Sequence, residues 1–182
     1  MEHAAWLAKE AELAGEEHAD PAYAAGYDRK AAHDTAGELA LLRELGLGEA
    51  ATLVDLGAGT GALAIAAAPT CRRVVAVDIS SEMLAVLRAR AERLGLENVE
   101  TVQSGFLTYE HSGDAADIVY SRNALHHLPD FWKALALERV ASMLRPAGIL
   151  RLRDLVYSFE PHEAEQVIEA WLATASESPT RG

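Results

Sequence analysis

The sequence predicts a doubly wound α/β domain, a mostly parallel sheet covered by helices on both faces, with a helical lid ahead of it. Three features lead there. Strand-like and helix-like segments alternate from residue 35 onward. The strand-like segments, such as "RRVVAVD", have continuously apolar, β-branched centres, as strands buried on both faces require. The first of them, in "VDLGAGTGALA" at residues 54–64, runs into three alternate glycines that open a helix. With 182 residues, 50% hydrophobic and 24% charged, the chain suits one soluble domain whose core needs neither disulfide nor metal.

Residues 1–34 form the lid. They are rich in alanine and acids and read as one helix and a short second one after Pro21, with Trp6, Leu7, Leu13, Tyr23 and Tyr27 as apolar anchors. The core domain occupies residues 35–176. Thr35 and Glu38 have the spacing of a capping box, Leu39, Leu42 and Leu45 follow, and Gly46 ends that helix. "ATLVDLG" is the first strand, residues 60–68 a helix, and "RRVVAVD" the second strand. In the next helix, residues 81–94, Leu84, Leu87, Ala91 and Leu94 repeat at helical spacing before Gly95 stops it. "VETVQSG" and "AADIVYSRN" are the third and fourth strands, parted by a loop at Ser112-Gly113-Asp114. A helix after Pro129 carries Leu137, Val140, Ala141 and Leu144 on one face and ends at Pro146, where "GILRLRDLV" supplies the fifth strand. A final helix over residues 161–174 gathers Ala164, Val167, Ile168, Trp171 and Leu172 on one side, and residues 177–182 are a polar tail.

Charge and composition narrow the partners. A formal net charge of -12 repels a phosphate backbone over most of the surface, so nucleic acid is not the expected substrate. Arg151 and Arg153, alternating on the fifth strand, are the one local basic pair and suit a solvated face. No apolar run is long enough to span a bilayer, and the start "MEHAAWLAKE" lacks the basic and apolar regions of a signal peptide. The single cysteine, Cys71, forms no internal disulfide. A cytoplasmic protein that engages no membrane is expected.

A strand that enters a glycine-rich turn and then a helix brings backbone close to a ligand and aims the helix's free N–H groups at it. Gly57, Gly59 and Gly61 therefore make room for a nucleotide-like cofactor. Asp78, at the exposed tip of the second strand, is placed to accept both ribose hydroxyls. Two cofactor classes use such a loop. Gly57, Gly59 and Ala62 satisfy the dinucleotide pattern, which points to an NAD(P)-dependent reductase. Asp55, two residues ahead of Gly57, with Gly61 as third glycine, gives instead the form acidic-x-Gly-x-Gly-x-Gly.

In that form the sequence resembles the class I S-adenosylmethionine-dependent methyltransferases. The resemblance runs from about residue 35 to residue 154, through "VVAVDIS" with Met83, "DIVYSRNALHHLPD" and "MLRPAGILRLRD". It implies a Rossmann-like fold and S-adenosyl-L-methionine as cofactor. It gathers Ala58 and Thr60 with the glycines in the binding loop, has Asp55 order that loop, and assigns Asp78 to the ribose. It sets Ile79, with Met83 following, beside the adenine, and brings Ser121, Arg122 and Asn123 to the methionine part. Two departures carry information. Ala147 replaces one glycine of the family's usual Pro-Gly-Gly. The family's third strand commonly ends in Gly-Asp, the aspartate holding the adenine amino group, whereas this chain reads Ser104-Gly105-Phe106. Phe106 is left to stack on or edge against adenine, and Ser104 or a backbone carbonyl to take the amino hydrogen bond.

A methyl group on a sulfonium is already activated, so in-line displacement asks the protein mainly for positioning, worth on the order of 7–11 kcal/mol. No dedicated nucleophile is required. For an oxygen, nitrogen or carbon acceptor that must lose a proton, His126 and His127 are the best-placed bases, with Asp154 on the same rim. Each has a structural alternative, the histidines bonding their own loop and the aspartate accepting from a turn or helix start. Tyr23, Tyr27 and Lys30 either close over cofactor or acceptor, or pack the lid. No Asp/Asn-Pro-Pro-aromatic tetrad follows the fourth strand, and Cys71 lies at the far end of the sheet. Neither base methylation of nucleic acid nor thiolate attack on a pyrimidine is expected. His126, His127 and Asp130 are close in sequence but lack metal-ligand spacing, so no metal is expected. The expected activity is methyl transfer to a small-molecule acceptor. A non-catalytic cofactor-binding or partner-binding module is the alternative, and a reductase the third.

Five strands are visible where the resembled family has seven, the last two an antiparallel pair. "LATASESPTRG", after Trp171, carries no strand pattern. Either the chain is a fragment or another subunit supplies the edge. An exposed "ILRLRDLV" edge favours self-association, blunted in part by Arg151 and Arg153.

Overall fold

The computed structural model describes residues 6–30 and 34–176. Five strands, β1 Thr52–Leu56, β2 Arg73–Asp78, β3 Val99–Gln103, β4 Ala116–Arg122 and β5 Leu144–Arg153, form one parallel sheet in the order β3-β2-β1-β4-β5. No sixth strand joins it among the described residues, as the sequence reading expects. The strand order reverses between β1 and β4, and a crevice therefore opens at their carboxyl ends.

Alternate residues of β1, β2 and β4 feed two cores. Leu53, Val74 and Ile118 pack against Leu42 of α3 (Thr35–Glu44), Leu63 of α4 (Ala62–Ala67) and Leu84 and Leu87 of α5 (Ser81–Leu94). Val54, Val75 and Val119 point the other way, to Ala136, Val140 and Met143 of α6 (Asp130–Met143). All of these are buried, which fixes the register, because a slip by one residue would exchange the two faces. The lid consists of a short α1 (Glu10–Leu13), a 3-10 turn at Glu16–Ala19 and α2 (Pro21–Lys30). Leu7 and Ala8 pack on the second core, and the Trp6 ring stacks on Trp132 of α6 at 5.7 Å between centroids.

Several local expectations are corrected. The cap of α3 is Asp34, whose carboxylate accepts the Gly37 N–H at 2.9 Å; Thr35 is already helical, and Glu38 turns away to Arg151 and Arg153 at 2.9 and 3.3 Å. Both arginines are therefore partners of a buried carboxylate; Arg151 is half-buried, and Arg153 keeps the exposed position expected of a solvated face. The helix expected at residues 60–68 spans only Ala62–Ala67, followed by a 3-10 turn at Ala68–Thr70. The helix before β5 stops at Met143, and Leu144 begins the strand, its backbone already extended. The last helix divides into a 3-10 turn at Pro161–Glu163 and α7 (Ala164–Ser176), whose Val167, Ile168, Trp171 and Leu172 lie exposed. Ala147, in the place of a glycine, takes a left-handed backbone with φ of 61°.

Candidate functional site

The loop after β1 is shaped by three left-handed glycines, Gly57, Gly59 and Gly61, at φ of 74°, 54° and 84°. A β-carbon on Gly57 would overlap Ala124, and one on Gly61, the N-cap of α4, would overlap Leu87. A β-carbon on Gly59 would meet nothing nearer than the Tyr27 ring at 3.9 Å, so the space beneath the lid is open here. The Gly57 and Ala58 N–H groups donate to the Val77 carbonyl at 2.8 and 3.0 Å, which folds the loop against the end of β2.

Asp78 joins the two strand tips. Its carboxylate accepts the Gly59 N–H and the Ser80 N–H, each at 2.8 Å. It is not the exposed residue expected, and burial raises its pKa. Beneath it Asp55 is 3% exposed, and burial together with the Asp78 charge pushes its pKa up to about 7. The Ala64 N–H bonds Asp55, so this acid organises the start of α4 from below the loop.

A cleft of about 720 Å³ lies over these tips. Of the expected cofactor residues, Gly57, Gly59, Asp78, Ile79, Met83, Gly105, Phe106, Arg122 and Asn123 line it. Asp55, Ala58 and Thr60 face an adjoining cleft of about 530 Å³ that shares Gly57, Gly59, Arg122 and Asn123. Two expected residues line neither. Gly61 is consumed by the turn, and Ser121 is fully buried in β4 with an unpartnered hydroxyl.

The histidines divide. His126 donates from Nδ1 to Asp154 Oδ1 at 2.5 Å, and its N–H bonds Asp154 Oδ2 at 2.9 Å. Asp154 also accepts the Leu155 N–H at 2.8 Å. Asp154 thus accepts from a turn, its structural alternative, whereas His126 bonds the tip of β5 and not its own loop, and neither residue lines the main cleft. His127 does line it, with its ring 4.2 Å from that of His126. Burial, then the neighbouring His126 and His18, lowers the His127 pKa and keeps its imidazole neutral at pH 7.

The lid supplies wall residues that sequence reasoning missed: Glu10, Ala14 and His18 stand beside the anticipated Tyr27. The Ser80 hydroxyl donates to the His18 carbonyl at 2.5 Å, and the His18 ring meets those of Tyr23 and His127 edge-on. None of these lies in a recognisable motif. The side chain of Lys30 falls outside the described residues. Among the described residues no cluster of His, Cys, Asp and Glu suits a metal, and no helix is long and apolar enough to cross a membrane.

A family model described as "Methyltransferase domain" matches residues 53–148, the stretch from β1 into the first half of β5. An uncharacterized methyltransferase, YcgJ, of Bacillus subtilis is 34% identical over 102 residues, 56% of this chain and 40% of the relative. A trans-aconitate 2-methyltransferase of Azoarcus is 35% identical over 116 residues, 62% of this chain and 42% of the relative. The chain thus spans less than half of either. Among solved structures, one titled as a DhpI complex with SAM and HEP superposes with a TM-score of 0.61 at 29% identity, over 81% of this chain and 67% of that one.

Proposed function

Since the chain belongs to the methyltransferase domain family, we propose that it binds S-adenosyl-L-methionine in the 720 Å³ cleft and transfers the methyl group to a small-molecule acceptor. The observation that carries this reading is Asp78, a carboxylate held by the Gly59 N–H at the mouth of a cleft whose facing wall is glycine backbone.

The residues present fit the cofactor. Asp78 would hold the ribose hydroxyls, and the backbone beside Gly57 and Gly59 would lie against the ligand where no side chain intervenes. Ile79, Met83, Phe106 and Leu128 give an apolar slot for a flat base, and Arg122 and Asn123 offer polar groups at the far end for the amino-acid part. When bound, the cofactor supplies a methyl group already activated by the sulfonium. The protein's work is then to hold the acceptor in line and keep water out, and Ala14, His18 and Tyr27 close the cleft from the lid side for that purpose. His127, neutral and on the wall, is the group suited to take a proton from the acceptor. His126 and Asp154 act through it as positioning residues.

The small-molecule assignment is supported by the net charge of -12, unfavourable for nucleic acid, and by the trans-aconitate enzyme among the relatives. Cytoplasmic residence and association of two copies along β5 belong to the same proposal. That strand has no further neighbour among the described residues, and exposed Leu155, Val156 and Tyr157 follow it.

Isothermal titration calorimetry with S-adenosylhomocysteine and with NADH tests the cofactor, and turnover of small carboxylate, amine and phenol acceptors tests the enzyme. Binding of NADH without any response to S-adenosylhomocysteine would remove the reading. Binding of S-adenosylhomocysteine with no turnover of any acceptor would favour a binding module.

A further inference from the structure

The resembled family ends its third strand in an aspartate that holds the adenine amino group, and this chain has Gly105 there. The missing carboxylate is replaced in space. A β-carbon built on Gly105 would overlap the carboxylate of Glu10, whose three terminal atoms are its nearest neighbours. Glu10 therefore occupies the volume that an aspartate side chain at position 105 would fill, although it comes from α1, 97 residues away from its hydrogen-bond partner Leu107. Gly105 has no left-handed φ, so its backbone would tolerate other residues. What excludes a side chain at this site is Glu10 itself.

The carboxylate is also anchored and open to the ligand. Its Oε2 accepts the Leu107 N–H at 3.0 Å, and Glu10 lines the cleft together with Ile79, Met83 and Phe106. A carboxylate has about four acceptor positions, so one oxygen can be tied to backbone while capacity remains for a donor in the cleft. The sequence departure and the lid contact are then one fact: loss of a carboxylate at the end of β3 and gain of one from the lid.

We propose that Glu10 is the acceptor for the adenine amino group of the cofactor, so that the base-recognition carboxylate is carried on the lid instead of the sheet. This rests on the S-adenosylmethionine reading above. It makes adenine selectivity depend on the lid being docked, because the end of β3 offers Ser104 and backbone but no carboxylate of its own.

The test is calorimetry of the whole chain with S-adenosylhomocysteine and with its analogue lacking the purine 6-amino group. The wild type prefers the amino form by about tenfold to a hundredfold, the range for a hydrogen bond to a charged acceptor. Glu10→Ala removes that preference by weakening the amino ligand alone. Should Glu10→Ala instead bring both ligands to one common, weakened affinity as the lid is lost, the double variant Glu10→Ala/Gly105→Asp decides. Return of the preference there supports the proposal, and its continued absence overturns it. An unchanged preference in Glu10→Ala, or tighter binding of both ligands as expected if Glu10 merely plugs the cleft, overturns it while leaving the cofactor reading intact. A wild type that binds neither ligand removes both.

Discussion

The floor and the lid of the cleft meet a ligand by different means. The floor is backbone: left-handed glycines at 57, 59 and 61, tied to β2 through Val77 and Asp78. The lid is side chain: Glu10, His18 and Tyr27, reaching in from short helical segments. Where geometry itself is the requirement, one residue type meets it without strain and the requirement is written locally in the sequence. Where a side chain reaches from a distant segment, several residue types and positions would serve, and nothing local records the choice.

The most damaging change should strike the floor. Gly61→Val places a branched side chain at a left-handed position and into Leu87, and the strain and overpacking together should cost about 2–5 kcal/mol in urea denaturation. A stability within error of wild type would mean that the loop re-forms at no cost.

The buried acids below the loop come next. The Asp55 pKa is raised from its ordinary value to about 7, so the folded state holds a proton that the unfolded state has released. Stability is therefore fullest below about pH 4 as far as this group is concerned, and falls as pH rises toward 7, by an amount on the order of a few kcal/mol. Asp78, raised by burial, contributes with the same sign. Asp55→Asn should flatten this part of a stability-against-pH curve, and an identical slope in the variant would assign it elsewhere.

Asp78→Ala probes the join between sheet tips. It removes the proposed ribose acceptor and frees the Gly59 N–H, so affinity for S-adenosylhomocysteine should fall tenfold to a hundredfold, about 1.5–3 kcal/mol. Because the carboxylate also braces the loop, the melting temperature should fall as well. A drop in affinity without thermal destabilisation would show that the brace is dispensable.

The smallest effect sharpens the rule about glycine. Ala147 adopts the conformation that the floor reserves for glycine, and Ala147→Gly should stabilise the protein by up to about 1 kcal/mol, read as a shift in the denaturation midpoint at constant slope. Destabilisation would mean that the alanine methyl makes contacts that outweigh its strain.

Most of the fold was legible because strands buried on both faces leave unbroken apolar runs, and because caps such as Gly95 end helices unambiguously; α5 has the predicted bounds, residues 81–94. The errors arose where a local pattern competed with a distant partner. Thr35 and Glu38 match a capping box, yet Asp34 stands one residue earlier and Glu38 is drawn to two arginines on β5. Leu144 continues the helical period of α6 but pairs with Ala116 in the sheet. In the site, Gly57, Gly59, Asp78 and His127 were readable from motifs, whereas Glu10 was detectable only as a gap, the absent aspartate beside Phe106.

The Trp6 ring stacked on Trp132 gives the lid an optical signature. Two indoles at 5.7 Å, inclined by 23°, couple their excited states, so docking of the lid contributes a paired signal in the aromatic circular dichroism that separate rings cannot produce. Trp171, 56% exposed on α7, adds a solvent-facing emission. Any release of Trp6 from α6 on ligand binding would therefore be read in a stopped-flow spectrometer on unlabelled protein, with Trp6→Phe as the silent control.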